Sequence, residues 1–320
     1  MVTRSTTETL RVVFFGTPAF AVPTLEALLG SRHTVTGVVT QPDRPSGRGQ
    51  RISSPPVKAL ALTAGLPVLQ PPTLKDAALL EHLASMKADF GIVAAYGKIL
   101  TTAVLAVTER GFLNVHASLL PRYRGAAPVH RAIIAGEPQT GVTIMRVVQA
   151  LDAGPMLARE SRPIGPDETS VAVEHDLARL GAALLIRTLD ALAIGEVPEM
   201  AQDDRDATYA RKLTKDDGIV DWRWSAERIH DLVRGLHPWP HAFTFLDGRR
   251  FILRSARRTA GSASAEPGTV LEASGGRLTV ATGTGVLEIL EIQSEGTRSM
   301  TAREFLAGHP LSAGERFRSP

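Results

Sequence analysis

From Leu10 to about Ala193 the chain alternates short β-rich runs with helical stretches, and this alternation constrains the fold more than any other feature. The pattern predicts strands over Arg11–Phe15, Thr34–Thr40, Pro67–Gln70, Asp89–Ala95, Gly111–His116 and Gly141–Val147. Between and after them it predicts helices over Pro18–Leu29, Val57–Ala64, Lys75–Met86, Thr101–Val107, Pro128–Ala135 and Ser170–Ala193. Strand–helix alternation at this spacing argues for an α/β fold, a mostly parallel sheet with helices on both faces. Ligands of such sheets lie beyond the carboxyl ends of the strands.

Past residue 194 the texture changes. Gly195–Thr208 is polar, acidic and Pro-containing, and reads as a linker. An amphipathic helix over Ala226–Arg234 follows. Short strand-like runs come next, near Ala242–Leu246, Arg250–Ser255, Gly268–Leu271, Arg277–Ala281 and Val286–Ile292. Turns such as Asp247-Gly248 and Ser274-Gly275-Gly276 separate them. This is the signature of a small, mostly β domain compatible with an open barrel of the oligonucleotide-binding kind. The expected organisation is a tail over 1–9, a catalytic domain over 10–194, a linker over 195–208 and a β-domain over 209–320. A chain of 320 residues fits two domains.

Composition narrows the classes. With 43% hydrophobic residues the chain can bury a real core. It has no cysteine, which excludes disulfides, thiolate catalysis and cysteine-ligated zinc and fits a reducing cytoplasm. The nine histidines are scattered, without the clustered spacing of a metal site, so no metal is expected. Met1–Thr9 carries no apolar signal region and no apolar run approaches membrane-spanning length, so a cytoplasmic, non-membrane protein is expected. Gly16-Thr17-Pro18 lacks the spaced glycines of a dinucleotide fingerprint and the lysine of a P-loop. It reads as a turn that starts a helix.

Chemistry concentrates between residues 112 and 128. Along the strand Phe112–His116, Asn114 and His116 lie two residues apart and share a face. A Ser/Pro/Gly loop follows at once, then a helix that Pro128 can start. An amide donor and an imidazole at one strand end can hold a developing oxyanion and manage a proton, as acyl transfer requires. Asp152, in a second loop signal, supplies a carboxylate. On residue types alone, Asn114 could equally be a turn former and His116 a satisfied core residue.

The run Asn114-Val-His116-Ala-Ser-Leu-Leu-Pro121, continued by Arg122-Tyr-Arg-Gly-Ala-Ala-Pro128, resembles the signature of the folate-dependent formyltransferases. Val13-Phe-Phe-Gly-Thr-Pro18, Gln41-Pro-Asp-Arg-Pro-Ser-Gly-Arg-Gly49 and Gly141-Val-Thr-Ile-Met145 running into Leu151-Asp-Ala-Gly154 resemble the branch that formylates methionyl-tRNA. Tyr209-Ala-Arg-Lys-Leu-Thr-Lys215 and Pro238-Trp-Pro240 extend the likeness into the second half. One departure is Ala117, where that family more often has glycine. The added methyl sits beside His116.

The resemblance implies a Rossmann-like formyltransferase sheet with a smaller open β-barrel (OB-like) domain. It implies 10-formyltetrahydrofolate as co-substrate and the α-amino group of initiator methionyl-tRNA as acceptor, a step in translation initiation. Asn114, His116 and Asp152 would be the catalytic trio, with acid and base roles undivided between His116 and Asp152. Folate would lie near Ala95, Tyr96 and Gly97 and along Ser118, Leu119, Leu120 and Pro121. No obligate protein partner is evident. A formyltransferase of small amines, such as glycinamide ribonucleotide or an amino sugar, would need the trio but not a basic β-domain. A non-catalytic RNA-binding protein would have no use for the trio.

Charge bears on that choice. The net charge is +3, and residues 209–320 hold 16 Lys and Arg against 13 Asp and Glu, with 20 of each before them. Arg249, Arg250, Arg254, Arg257 and Arg258 form an acid-free run, which suits either a solvated strand face or a phosphate track. Gln41–Pro56 carries four prolines and three arginines, Arg44, Arg48 and Arg51, against the single acid Asp43. It is expected to lack structure of its own until it meets a polyanion. The resemblance implies that this loop engages the tRNA acceptor stem, and on that ground Arg44, Arg48, Arg51, Arg254 and Arg257 are the expected tRNA contacts.

Overall fold

The computed structural model describes residues 8–46, 51–195, 197–261 and 264–319. The chain forms two compact units. One comprises Met1–Gly125, Thr140–Arg162 and Glu174–Tyr209, the other Ala126–Gln139, Pro163–Val173 and Ala210–Pro320.

In the first unit the strands are β1 (Arg11–Gly16), β2 (Thr34–Val39), the short pair β3 (Arg44–Ser46) and β4 (Arg51–Ser53), β5 (Val68–Leu69), β6 (Phe90–Ala94), β7 (Phe112–His116), β8 (Arg124–Gly125), β9 (Gln139–Arg146) and β10 (Met156–Pro163). Seven of them make one sheet in the order β10-β9-β7-β6-β1-β2-β5. β1 runs parallel to β2 and β6, and β2–β5 and β6–β7 are parallel too, whereas β9 is antiparallel to β7. After β1 the chain first builds outward through β2 and β5, then returns to place β6 on the other flank of β1. That reversal leaves a crevice at the carboxyl ends of β1 and β6, where open α/β sheets hold ligands. β1 is buried at every position but its first, as a strand covered on both faces must be.

Helices α1 (Val22–Leu29), α2 (Pro56–Thr63), α3 (Ala77–Ser85) and α4 (Thr102–Leu105) connect these strands. Asp76 caps α3 by accepting from the Ala78 amide at 3.1 Å. Val13, Phe15, Val39, Leu83, Tyr96 and Phe112 form a core on one face. Gly91 permits the Phe112 ring to lie across the neighbouring strand, since a Cβ there would sit 2.1 Å from Phe112 Cε1. Helix α5 (Pro128–Ile134) belongs to the second unit, and α6 (Ser170–Leu192) runs from the second into the first. Gly181 of α6 meets the back of β7, where a Cβ would approach Val115 Cγ1 to 2.6 Å. Val115 points away from Asn114 and His116, so α6 braces the site strand from behind. Every strand and helix expected before residue 194 is present. The strand β10, whose outer half carries Arg159, Glu160 and Arg162, was not expected.

The described parts of Gln41–Pro56, residues 41–46 and 51–56, are more ordered than the composition suggests. β3 and β4 pair antiparallel, Arg44 opposite Ser53 and Ser46 opposite Arg51. Asp43 anchors the base by accepting from Lys58 Nζ at 2.7 Å, Gln70 Nε2 at 2.8 Å and Ser54 Oγ at 3.3 Å. These partners hold its carboxyl below the usual range.

The second unit follows β11 (Tyr209–Ala210). It contains α7 (Ala226–Gly235), β12 (Ala242–Leu246), β13 (Arg249–Thr259), β14 (Val270–Ser274), β15 (Arg277–Ala281), β16 (Val286–Ser294), β17 (Met300–Thr301) and α8 (Ala302–Gly308). The antiparallel strands run β12-β13-β16-β15-β14, with β17 beside β16. The C-terminal segment bridges both edges, Arg318 pairing with Phe245 of β12 and Arg316 with Thr269 just before β14. That bridging bends the path toward a barrel. Trp222, Leu232, Leu253, Leu287, Phe305 and Phe317 fill it. Among the described residues no helix is long and apolar enough to cross a membrane.

Candidate active site

β7 ends at His116, and the next residues, Ala117–Gly125, wrap back over that end. Asn114 is half-buried and His116 is 6% exposed. His116 Nε2 lies 3.0 Å from the carbonyl of Tyr123. A carbonyl only accepts, so Nε2 carries the proton and donates it there. The other nitrogen, Nδ1, faces Asp152 Oδ2 at 3.7 Å, within ion-pair reach and beyond hydrogen-bond length. The same Oδ2 accepts from the Gly125 amide at 2.8 Å.

Both loops are held in unusual conformations. Asp152 has φ +47° and Tyr123 φ +61°, in the left-handed region that few residues other than glycine adopt. Aspartate tolerates it better than most. Gly154 comes so near the β9 end that a Cβ would lie 1.9 Å from the Arg146 carbonyl oxygen, so only glycine fits. Local strain of this kind gathers where surrounding contacts over-determine the backbone.

The loop Ser118–Pro121 is wired internally. Ser118 Oγ donates to Arg122 O at 2.6 Å, and Thr143 Oγ1 donates to Ser118 O at 2.7 Å while accepting from Leu120 N at 3.2 Å. Leu120 O accepts from Arg159 Nη1 at 3.1 Å. With these groups engaged, Ser118, Leu119, Leu120 and Pro121 form a firm wall. At the exit of β6, beside the crevice, Ala95 (φ +45°) and Gly97 (φ +85°) are exposed. The Tyr96 side chain instead belongs to the core. Its carbonyl accepts from Thr17 Oγ1 at 3.0 Å and Gln41 Nε2 at 3.3 Å. Burial pushes its phenol up to about 12.

Arg44 is exposed on β3, 3.4 Å from Gln41 Oε1. Arg48 and the Arg51 side chain lie outside the described residues. In the second unit Arg257 is gripped by both oxygens of Glu288 at 3.0 Å. Arg258 pairs with Glu227 at 2.7 Å and Arg250 with Glu295 at 3.6 Å. The arginine run is acid-free along the chain but not in space, because facing elements supply carboxylates. Arg254 sits at a β-bulge and donates instead to Nε2 of His241.

Several residues that build the site were not singled out from the sequence. Gln202 Nε2 donates to Asp152 O at 2.8 Å and Gly154 O at 2.7 Å. Arg124, 3% exposed, donates to Gln202 Oε1 at 3.0 Å and Asp204 Oδ1 at 2.9 Å. Thr143 stood within a quoted motif, but no pattern marked it as the clip of the Ser118 loop.

Comparison with known proteins agrees with the geometry. Residues 10–189 match the formyl transferase family model and residues 212–310 match the formyl transferase C-terminal domain model. A methionyl-tRNA formyltransferase of Methylococcus capsulatus is 48% identical over 307 residues, 96% of this chain and 99% of its own length. One of Trichlorobacter lovleyi is 46% identical over 304 residues, 95% and 96% respectively. Among solved structures, HypX from Aquifex aeolicus in complex with tetrahydrofolic acid aligns with TM-score 0.64 at 15% identity, covering 98% of this chain and 51% of that one. An N-formyltransferase from Helicobacter canadensis aligns with TM-score 0.67 at 14% identity, covering 90% and 100%. These two show the shared fold. With both halves matched by family models and relatives aligned over nearly their whole length, this chain belongs to the formyl transferase family, in its methionyl-tRNA formyltransferase branch.

Proposed function

We propose that the protein transfers the formyl group of 10-formyltetrahydrofolate to the α-amino group of initiator methionyl-tRNA, by direct attack of the amine and without a covalent enzyme intermediate. The observation that carries this reading is the His116 Nδ1–Asp152 pair at the end of β7, with Asn114 two residues upstream on the same face. The relatives' activity supports the choice of acceptor.

An α-amino group has a reference pKa of about 7.7–8.0, so a useful neutral fraction exists near neutral pH. Attack on the formyl carbon develops negative charge on the formyl oxygen, toward which the Asn114 amide donates. Because Nε2 of His116 is already donating to Tyr123 O, Nδ1 is the nitrogen left to take a proton from the amine. The Asp152 carboxylate then steadies the imidazolium. It is itself kept in place by the Gly125 amide. As the tetrahedral intermediate collapses and the bond from the formyl carbon to the folate nitrogen breaks, His116 returns that proton to the departing nitrogen. The co-substrate supplies the activated formyl group. The exposed backbone of Ala95 and Gly97 and the part-exposed Leu119 would hold its ring, with the fully buried Leu120 backing that wall from inside. The fit is chemical: a firm apolar surface stands beside an exposed turn at the sheet's switch point.

The arginine-bearing strand pair β3 and β4 and the β13 face of the second unit are the surfaces assigned to tRNA phosphates. Incubating purified protein with 10-formyltetrahydrofolate and methionyl-tRNA, and in parallel with free small amines, tests the reading. Formylation of the charged tRNA is expected. Formylation of small amines alone would replace this reading with that of a small-amine formyltransferase.

A further inference from the structure

The segment 197–209 has the composition of a linker, yet in the first unit it holds both loops of the candidate site. Met200 exchanges backbone hydrogen bonds with Met156 at 2.8 Å each way, just beyond the Asp152 turn. Glu199 receives Arg146 Nε at 2.7 Å, at the strand end that Gly154 abuts. Thr208 Oγ1 accepts from the Tyr123 amide, and Thr208 O from the Arg124 amide, both at 2.8 Å. Tyr123 provides the carbonyl that fixes His116 Nε2, and Gly125 provides the amide that fixes Asp152. One short stretch therefore sets the position of both partners of the His116–Asp152 pair.

Gln202 is its central contact. The carbonyls of Asp152 and Gly154 can only accept, so both need N–H donors, and the carboxamide NH2 supplies two from one nitrogen. Its orientation is fixed from the other side, because Arg124 Nε donates to Oε1. Arg124 is itself buried, with the exposed Asp204 as its second partner. The turn so gripped contains Asp152 at φ +47°, a conformation that relaxes unless neighbours hold it.

We propose that Gln202 is a positioning residue: by bridging the carbonyls on both sides of the Asp152 turn it aims the Asp152 carboxylate at His116 Nδ1, with Arg124 setting the direction of its amide. The proposal rests on the reading that Asp152 works with His116 in formyl transfer. Glutamate at this position keeps the shape but, when ionised, has no donor for either carbonyl. A misplacement of the turn by about an ångström is enough to lower turnover roughly 10- to 100-fold.

The test uses the full-length protein carrying Gln202→Glu or Gln202→Ala, each alone and combined with Asp152→Asn. Formyl transfer to methionyl-tRNA is followed in single-turnover and steady-state assays, with pH profiles and thermal melting. For both single variants the expected result is a fall in kcat of about 10- to 100-fold, with KM for the folate little changed. The pH profile should be displaced, and adding either change to Asp152→Asn should cost little more, because coupled residues are not additive. If Gln202→Ala melts early, the isosteric Gln202→Glu still reports on kcat and pH dependence. Wild-type kcat in both single variants overturns the role of Gln202. So do losses that multiply in full on the Asp152→Asn background. A fully active Asp152→Asn protein is a separate result, which overturns the reading of Asp152 and with it this proposal.

Discussion

His116 and His241 are both histidines with their rings largely out of water, one in each unit, and their neighbours make them chemical opposites. His116 donates from Nε2 to a carbonyl and turns Nδ1 toward a carboxylate. His241 accepts at Nε2 from Arg254, while its Nδ1 is buried with no hydrogen-bond partner among the described residues. Burial, then Arg254 and then the nearby His237, pull His241 down to about 4. A proton arriving at His116 meets an anion. A proton arriving at His241 meets a guanidinium and a dry pocket. Burial alone does not make a histidine an acid–base group; the sign of the charge beside it decides.

The largest effect that sharpens this contrast should come from His116→Ala, expected to lower turnover by roughly 100- to 10,000-fold, the scale of losing a positioned acid–base group. Folate affinity, measured by direct binding, should suffer much less, because the ring is assigned to the β6 exit and the Leu119–Leu120 wall. Near-normal turnover in a folded variant would remove His116 from the mechanism.

Next comes Asp152→Asn, which converts the anion beside Nδ1 into a neutral amide of the same shape. Asparagine shares aspartate's tolerance of left-handed backbone and can accept from the Gly125 amide, so thermal melting should hardly change. Turnover should fall by about 100-fold or more, since the imidazolium loses its counter-charge. An active variant would mean that Asp152 serves only the turn, and the contrast with His241 would lose its meaning.

How much of this was legible depends on how each element is held. The strand β7 and its pair Asn114 and His116 could be read because strand periodicity fixes which side chains share a face. The same is true of the parallel core strands, whose apolar runs follow from cover on both faces. Segment 197–209 has no hydrophobic period, since bonds that Gln202 donates and Thr208 accepts hold it rather than packing, and their partners lie far away along the chain. The carboxylates that face the cation run on β13 were hidden for a related reason: Glu288, Glu227 and Glu295 come from other elements and meet the arginines only in the folded unit. Helix α8 was readable in principle. Thr301 and Glu304 form a reciprocal capping box, a pattern visible in sequence, but seven residues are too few for a helical period to stand out.

A smaller effect concerns stability against pH. His241 has a folded pKa of about 4, below its unfolded value of about 6.5, so the unfolded chain binds the proton more readily between them. Its contribution is complete above the unfolded value and is lost as pH falls through that window toward about 4. For Asp217, burial would raise the carboxyl, but hydrogen bonds from Arg131, the Thr214 amide and Arg211 hold it at about 2. Its contribution is lost only below the ordinary aspartate range, as pH falls toward about 2. Melting temperature should therefore decline in two stages. His33 and His237, also lowered by burial, share the first, so His241→Gln should reduce the first and leave the second. If the first stage is undiminished in that variant, the low pKa belongs to another group.

The smallest effects are those of single arginines on tRNA, and they separate exposed cations from neutralised ones. Arg44 is exposed on β3, and Arg254 leans on a neutral imidazole, so either can meet a phosphate without giving up a carboxylate. Arg257 already holds both oxygens of Glu288. Replacing it removes one cation but also frees an anion, which repels the same phosphate. Each lost phosphate contact should make the plot of log affinity against log salt shallower by roughly 0.7 to 0.9. Arg44→Ala and Arg254→Ala should each approach that value with folate binding intact. Arg257→Ala should weaken binding at low salt, because Glu288 is left bare beside the phosphate. Titrating charged tRNA against each variant at several salt concentrations checks the ranking. The triple variant should show the shallowest slope if both surfaces hold one RNA. An unchanged slope and affinity in the triple variant would remove tRNA from these surfaces, and a small amine would become the better acceptor for the site at the end of β7.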